Sequence, residues 1–76
     1  MVFDKVKELV AEQLDVDASE VVAEANIQDD LGADSLDVVD LMMSIEEEFG
    51  LEEIPEEELE ELRTVGAIVE YIEANS

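Results

Sequence analysis

The fold turns on SLDVVDLMMSIEEEF, residues Ser35–Phe49. Projected at about 100° per residue, Val38, Val39, Met42, Met43, Ile45 and Phe49 fill one broad arc of a helix. Asp34, Asp37, Asp40, Glu47 and Glu48 fall in the opposite arc. Leu36 lies at the border, Leu41 falls among the acids, and Glu46 projects into the apolar arc, at an edge or reaching to water. So wide an apolar arc predicts a central helix touching several neighbours. Gly50 is suited to end it as the residue after the C-cap.

On the N-terminal side, Phe3, Val6, Leu9, Val10 and Leu14 step by threes and fours, which predicts a first helix from near Val2 to near Leu14. Asp15 to Asp34 is a long, weakly periodic connection anchored by Val21, Val22, Ile27 and Leu31. Asp17 and Glu20 have capping-box spacing, so a short helical turn is expected near Ala18–Val22. Gly32 frees the backbone before the central helix.

On the C-terminal side, Ile54-Pro55-Glu56-Glu57-Glu58 reads as a helix start with Pro55 at the first helical position and acids complementing the helix dipole. Leu59 and Leu62 form the inward face of this short helix. Thr64 is placed to cap a last helix whose stripe is Val65, Ile68, Val69 and Ile72, with Tyr71 beside it. Asn75-Ser76 should fray. The expectation is an all-α, small four-helix bundle, three longer helices and one short, with a long loop between the first and second. Val6, Ile27, Met42, Ile45, Leu59, Leu62 and Ile68 are expected in its core.

Composition narrows the chemistry. The 76 residues include 24 acidic and three basic side chains, for a formal charge of −21. Nucleic-acid binding needs clustered Lys and Arg, and Lys5, Lys7 and Arg63 are the whole supply. A basic partner surface would instead be attracted. With no His and no Cys, neither a Ser-His relay nor a thiolate nucleophile nor a Cys-based zinc site can be assembled. Neither catalytic nor metal-ligating residues are expected. No stretch reaches the ~20 apolar residues of a membrane span, and no secretory signal precedes the first helix, so a soluble cytoplasmic chain is the default. A calcium loop beginning at Asp15 fails, because Glu20 stands at the sharp-turn Gly and Asn26 at the bidentate Glu. Loose binding of divalent cations by Glu46–Glu48 or Glu56–Glu58 remains an expectation of charge relief.

Ser35 stands at the N-terminus of the central helix, where a serine ordinarily serves as cap or first-turn residue. Asp34 could cap instead, with Asp37 three residues on, leaving the Ser35 hydroxyl exposed and modifiable. A phosphodiester there would gain from the helix N-terminus and be repelled by Asp34 and Asp37. Nothing cationic is expected beside it, so covalent attachment by another enzyme suits the position better than capture of free phosphate.

The block Asp30-Leu31-Gly32-Ala33-Asp34-Ser35-Leu36-Asp37 resembles the acyl carrier proteins around their Asp-Ser-Leu motif. The similarity continues through Glu46-Glu47-Glu48-Phe49, Ile54-Pro55, Thr64-Val65 and Tyr71-Ile72, in order and spacing over essentially the whole chain. It implies a single acyl-carrier domain over 1–76. In it Ser35 would carry 4′-phosphopantetheine, moved from coenzyme A by a phosphopantetheinyl transferase with Mg²⁺. The arm's thiol holds acyl chains as thioesters, which fits a chain without cysteine. The resemblance further implies that Asp34, Asp37, Asp40, Glu46 and Glu47, with apolar Leu36 and Met43, form a docking surface for basic patches on fatty-acid synthesis enzymes. Glu48 stands between docking and plain solvation. Some core side chains would also line an acyl pocket near the second and third helices, where Met42 and Met43 repack easily. An extra residue within Gly50–Glu53 and a bulky Leu59 depart from the commonest pattern and bear on the pocket's size. No linker or fused catalytic segment is evident, so a free-standing monomer is expected. A polyketide-type carrier and a plain acidic interaction module lacking a prosthetic group are the alternatives.

Overall fold

The computed structural model describes residues 1–75. Four α-helices follow one another: α1 (Val2–Leu14), α2 (Ser35–Phe49), α3 (Glu56–Glu61) and α4 (Val65–Asn75), with a 3₁₀ turn (Ala18–Glu20) in the first connection. The expected all-α bundle and the bounds of its first two helices are as the periodicity implied.

Local chemistry explains the ends. Asp15 closes α1 in the left-handed conformation at φ 54°, which Asp tolerates better than most side chains. The Val16 N–H then donates to the Ala11 carbonyl at 3.1 Å. Gly50 closes α2 in the same way, and the Leu51 N–H donates to the Glu46 carbonyl at 2.9 Å. Thr64 caps α4 as expected, its Oγ1 accepting from the Ala67 N–H at 3.2 Å. Pro55 is the N-cap of α3 instead of its first helical residue. Asp17 precedes the 3₁₀ turn without a side-chain cap bond, so the capping box read there does not form. Asn75 is the last residue of α4, and its side-chain amide donates to the Tyr71 carbonyl at 2.8 Å. Ser76 lies outside the described residues.

The core draws on every part of the chain. Val6 and Val10 of α1 meet Leu41, Met42 and Ile45 of α2 and Val65, Ile68 and Ile72 of α4. Val21, Ala25 and Ile27 from the long connection join them, as do Ile54 and Leu62 flanking α3. Each such aliphatic side chain contributes about 1.5–3 kcal/mol when fully buried. Among the described residues no polar or charged side chain is buried, so the acids all remain hydrated.

Three packing expectations change. Leu41, projected among the acids, is wholly buried, and Leu59, expected in the core, is half-buried. The helix that packs closely on two others is α1, against both α2 and α4, and not α2. One cause underlies the two changes on α2: its buried stripe, Leu41, Met42 and Ile45, is rotated toward Leu41. The breadth of its apolar arc comes from residues facing water, with Val39 47% and Met43 56% exposed. Leu59 is half-buried because it borders open hollows on the α2 side, so the six-residue α3 contributes no buried residue of its own.

Candidate functional site

The long connection is built by short-range polar contacts, and it positions Ser35. Asn26 Oδ1 accepts from the N–H groups of Gln28 and Asp29, both at 2.9 Å. The Asn26 N–H donates to Asp30 Oδ2 at 2.8 Å. Backbone bonds then run from Asp30 and Leu31 N–H to the Asn26 carbonyl and from Ala33 N–H to the Ile27 carbonyl. Gly32, at φ 77°, makes the left-handed step that admits this closure.

The connection is also tied to the far end of the chain. Ile27 N–H donates to the Arg63 carbonyl at 2.8 Å and Val65 N–H to the Ala25 carbonyl at 3.1 Å. Gly66 N–H donates to the Ala23 carbonyl at 2.9 Å, and a Cβ at Gly66 would stand 3.1 Å from that oxygen. Asn26 and Thr64 form an isolated antiparallel bridge.

Ser35 is the first residue of α2 and is exposed. Capping is done by its neighbour. The Asp37 N–H donates to Asp34 Oδ1 at 2.9 Å, and the Asp34 N–H donates to Asp37 Oδ2 at 3.3 Å. This reciprocal box satisfies the helix start without the serine.

Ser35 lines an open cleft of about 310 Å³ between α2 and α3, walled by Val38, Val39, Leu59 and Leu62 and lined also by Ile27 and Gln28. Glu56, Glu60 and Arg63 complete its lining. A second hollow of about 350 Å³ adjoins it, sharing Val39 and Leu59 and reaching Met42, Met43 and Ile54. Leu59 therefore borders both. The expectation that nothing cationic adjoins Ser35 is corrected here, because Arg63 shares its cleft.

The remaining site residues lie on one exposed side of α2. Leu36, 75% exposed, continues with Val39 and Met43 as an apolar strip. Asp34, Asp40 and Glu47 are exposed, whereas Asp37 and Glu46 are half-buried. The two half-buried acids already have structural partners. Asp37 completes the capping box, and Glu46 Oε2 accepts from the Ile54 N–H at 2.9 Å, bracing the α2–α3 connection. Glu48 pairs with Lys5 Nζ at 3.6 Å, joining α2 to α1. Among the described residues no group of three or more acidic side chains is placed to hold a metal ion, and no helix is long and apolar enough to cross a membrane.

Sequence reasoning missed Asn26, Val39 as an exposed residue, and Arg63 as part of the cleft. Asn26 followed by Asp29-Asp30 carried a turn signal. The position of Arg63 carried none.

The site residues fit a covalently tethered arm: an exposed hydroxyl, a helix start already capped, and an open, partly apolar trough beside it. Comparison with known proteins agrees. The family model described as a phosphopantetheine attachment site matches residues 4–72. The chain is 53% identical over its full length to an acyl carrier protein of Clostridium acetobutylicum, covering 97% of that protein. It is 55% identical to one of Wolinella succinogenes, over 97% of this chain and 96% of that protein. The solved structure of an acyl carrier protein from Enterococcus faecalis superposes with a TM-score of 0.83 at 43% identity, covering 99% of this chain and 94% of that one.

Proposed function

Since the chain belongs to the acyl carrier proteins, we propose that residues 1–76 form one carrier domain that conveys acyl groups between enzymes of fatty-acid biosynthesis, with Ser35 as the attachment point of its 4′-phosphopantetheine. The observation that carries this is the exposed hydroxyl of Ser35, relieved of capping by Asp34 and set on the α2–α3 cleft. When attached, the group supplies a flexible thiol on which acyl chains are held as thioesters.

Loading forms the bond from Ser35 Oγ to the phosphorus that bears pantetheine in coenzyme A. It breaks the pyrophosphate link and releases adenosine 3′,5′-bisphosphate. The hydroxyl proton leaves through the transferase or water, because this chain holds no imidazole or thiolate to take it. The chain contributes presentation and shelter: Val38, Val39, Leu59 and Leu62 offer the cleft an apolar wall.

Docking falls to the exposed side of α2. Leu36, Val39 and Met43 provide apolar contact, and Asp34, Asp40 and Glu47 provide charge. Asp37 and Glu46 add their charge while keeping their structural bonds. Single exposed pairs contribute about 0–1 kcal/mol, so the acids act together and chiefly on encounter rate with basic enzyme patches. A cytoplasmic setting follows from partners of this kind.

The test is the intact mass of the protein after incubation with coenzyme A, Mg²⁺ and a phosphopantetheinyl transferase, followed by peptide mapping. One phosphopantetheine should be gained at Ser35. Ser35→Ala should gain none while keeping its helicity. Wild-type protein left unmodified where a control carrier is loaded, or a tether mapped to another residue, would overturn the proposal.

A further inference from the structure

Arg63 is out of keeping with its surroundings. In a chain of 24 acids and three bases, Lys5 pairs with Glu48 at 3.6 Å and with Glu8 at 4.0 Å. Among the described residues neither Lys7 nor Arg63 has a carboxylate within ion-pair distance, although Glu56 and Glu60 line the same cleft as Arg63. Its Nε donates instead to the Glu60 carbonyl at 3.0 Å. Its own carbonyl accepts from the Ile27 N–H at 2.8 Å, in the connection that leads to Ser35. The backbone and the first guanidinium nitrogen are thus both anchored, which leaves the two Nη groups as donors.

We infer that Arg63 binds the phosphodiester of the arm carried by Ser35 and holds the arm along the α2–α3 cleft; this rests on Ser35 being the attachment point. Three observations combine. Ser35 and Arg63 line one cleft, and Arg63 is the single cation among its lining residues. The groups around Ser35 are otherwise anionic: Asp34 and Asp37 at the helix start, Glu56 and Glu60 across the cleft. A phosphodiester fixed at Ser35 Oγ adds a further negative charge, and beyond the start of α2 itself the guanidinium is the one cationic side chain lining the cleft that offsets it. A planar fork with free Nη donors matches two phosphate oxygens, which a lysine ammonium does not. Free phosphate offers the same oxygens but lacks the tether, and it must approach a strongly negative molecule.

The experiment uses ¹⁵N-labelled wild-type, Arg63→Gln and Arg63→Lys proteins before and after enzymatic loading, each checked by intact mass and circular dichroism. Expected on loading of wild type are a shift of the Arg63 Nε–H resonance and contacts from the arm's methylenes to Val39 and Leu59. In loaded Arg63→Gln the ³¹P resonance should move toward that of free phosphopantetheine, and the arm-to-cleft contacts should weaken about threefold, as for the loss of one exposed ion pair. Arg63→Lys should fall between. Inorganic phosphate added to the unloaded protein should leave Arg63 Nε–H in place. Absence of any mass gain would overturn this inference together with the Ser35 attachment. Normal loading with Arg63 Nε–H unmoved, or with the ³¹P resonance and arm contacts the same in Arg63→Gln, would overturn the role of Arg63 alone. A shift with free phosphate as large as that on loading would overturn its assignment to the tether.

Discussion

Replacing Leu41 by Ala removes most of a side chain that has no exposure to water, in the core cluster to which α1 contributes Val6 and Val10. Lost transfer free energy and an incompletely collapsed cavity together cost about 3–5 kcal/mol for such a site. A chain of 76 residues has a total stability of about 4–11 kcal/mol at typical values per residue. Leu41→Ala should therefore remove about a quarter or more of it. Leu36→Ala deletes the same atoms from a side chain that is 75% exposed and should cost under about 0.5 kcal/mol. Urea unfolding followed by circular dichroism, at one fixed salt concentration, measures both. With a slope of about 1 kcal/mol per molar urea, the Leu41→Ala midpoint should fall by about 3–5 M and that of Leu36→Ala should barely move. If Leu41→Ala is unfolded before urea is added, the volume-conserving Leu41→Met, costing under about 1.5 kcal/mol, supplies the measurable transition. Equal costs at the two positions, or a Leu41→Ala protein within about 0.5 kcal/mol of wild type, would refute the placement of α1 against this face.

Asn26→Ala removes both side-chain acceptor bonds to Gln28 and Asp29 and should cost about 1–2 kcal/mol. Amide exchange at Ile27 and Ala33 should quicken; an unchanged melting point and unchanged protection would show that the turn is held by its backbone alone. With a net charge of −21, moving from low to moderate salt screens repulsion beyond about 10 Å and should raise the melting temperature by at least ~5 °C, equivalent to ~1 kcal/mol. Thermal melts across a sodium chloride series check this, and a flat series would mean that the acids are too well separated to repel.

Helix periodicity and capping chemistry are local properties, and they were legible for α1 and α2, though not at Asp17 or Pro55. α1 and α2 begin and end where the apolar spacing, Asp34 and Gly50 place them. The exposed serine followed from the same logic, because Asp34 and Asp37 sit in the three-residue relation that a capping box needs. What a single helix cannot reveal is which sector of its surface meets a neighbour. Leu41 and Val39 are both apolar residues of α2, and only the packing of the bundle buries the first and leaves the second half-exposed. Nor could the sequence place Arg63 in the cleft of Ser35. That proximity depends on the connection after α1 turning at Asn26 and bonding to the α3–α4 junction through Ile27 and Val65. Backbone donors and acceptors are the same at every residue, so a pairing between distant segments leaves no trace in side-chain pattern. It arises when burial of the shared core brings the two segments together.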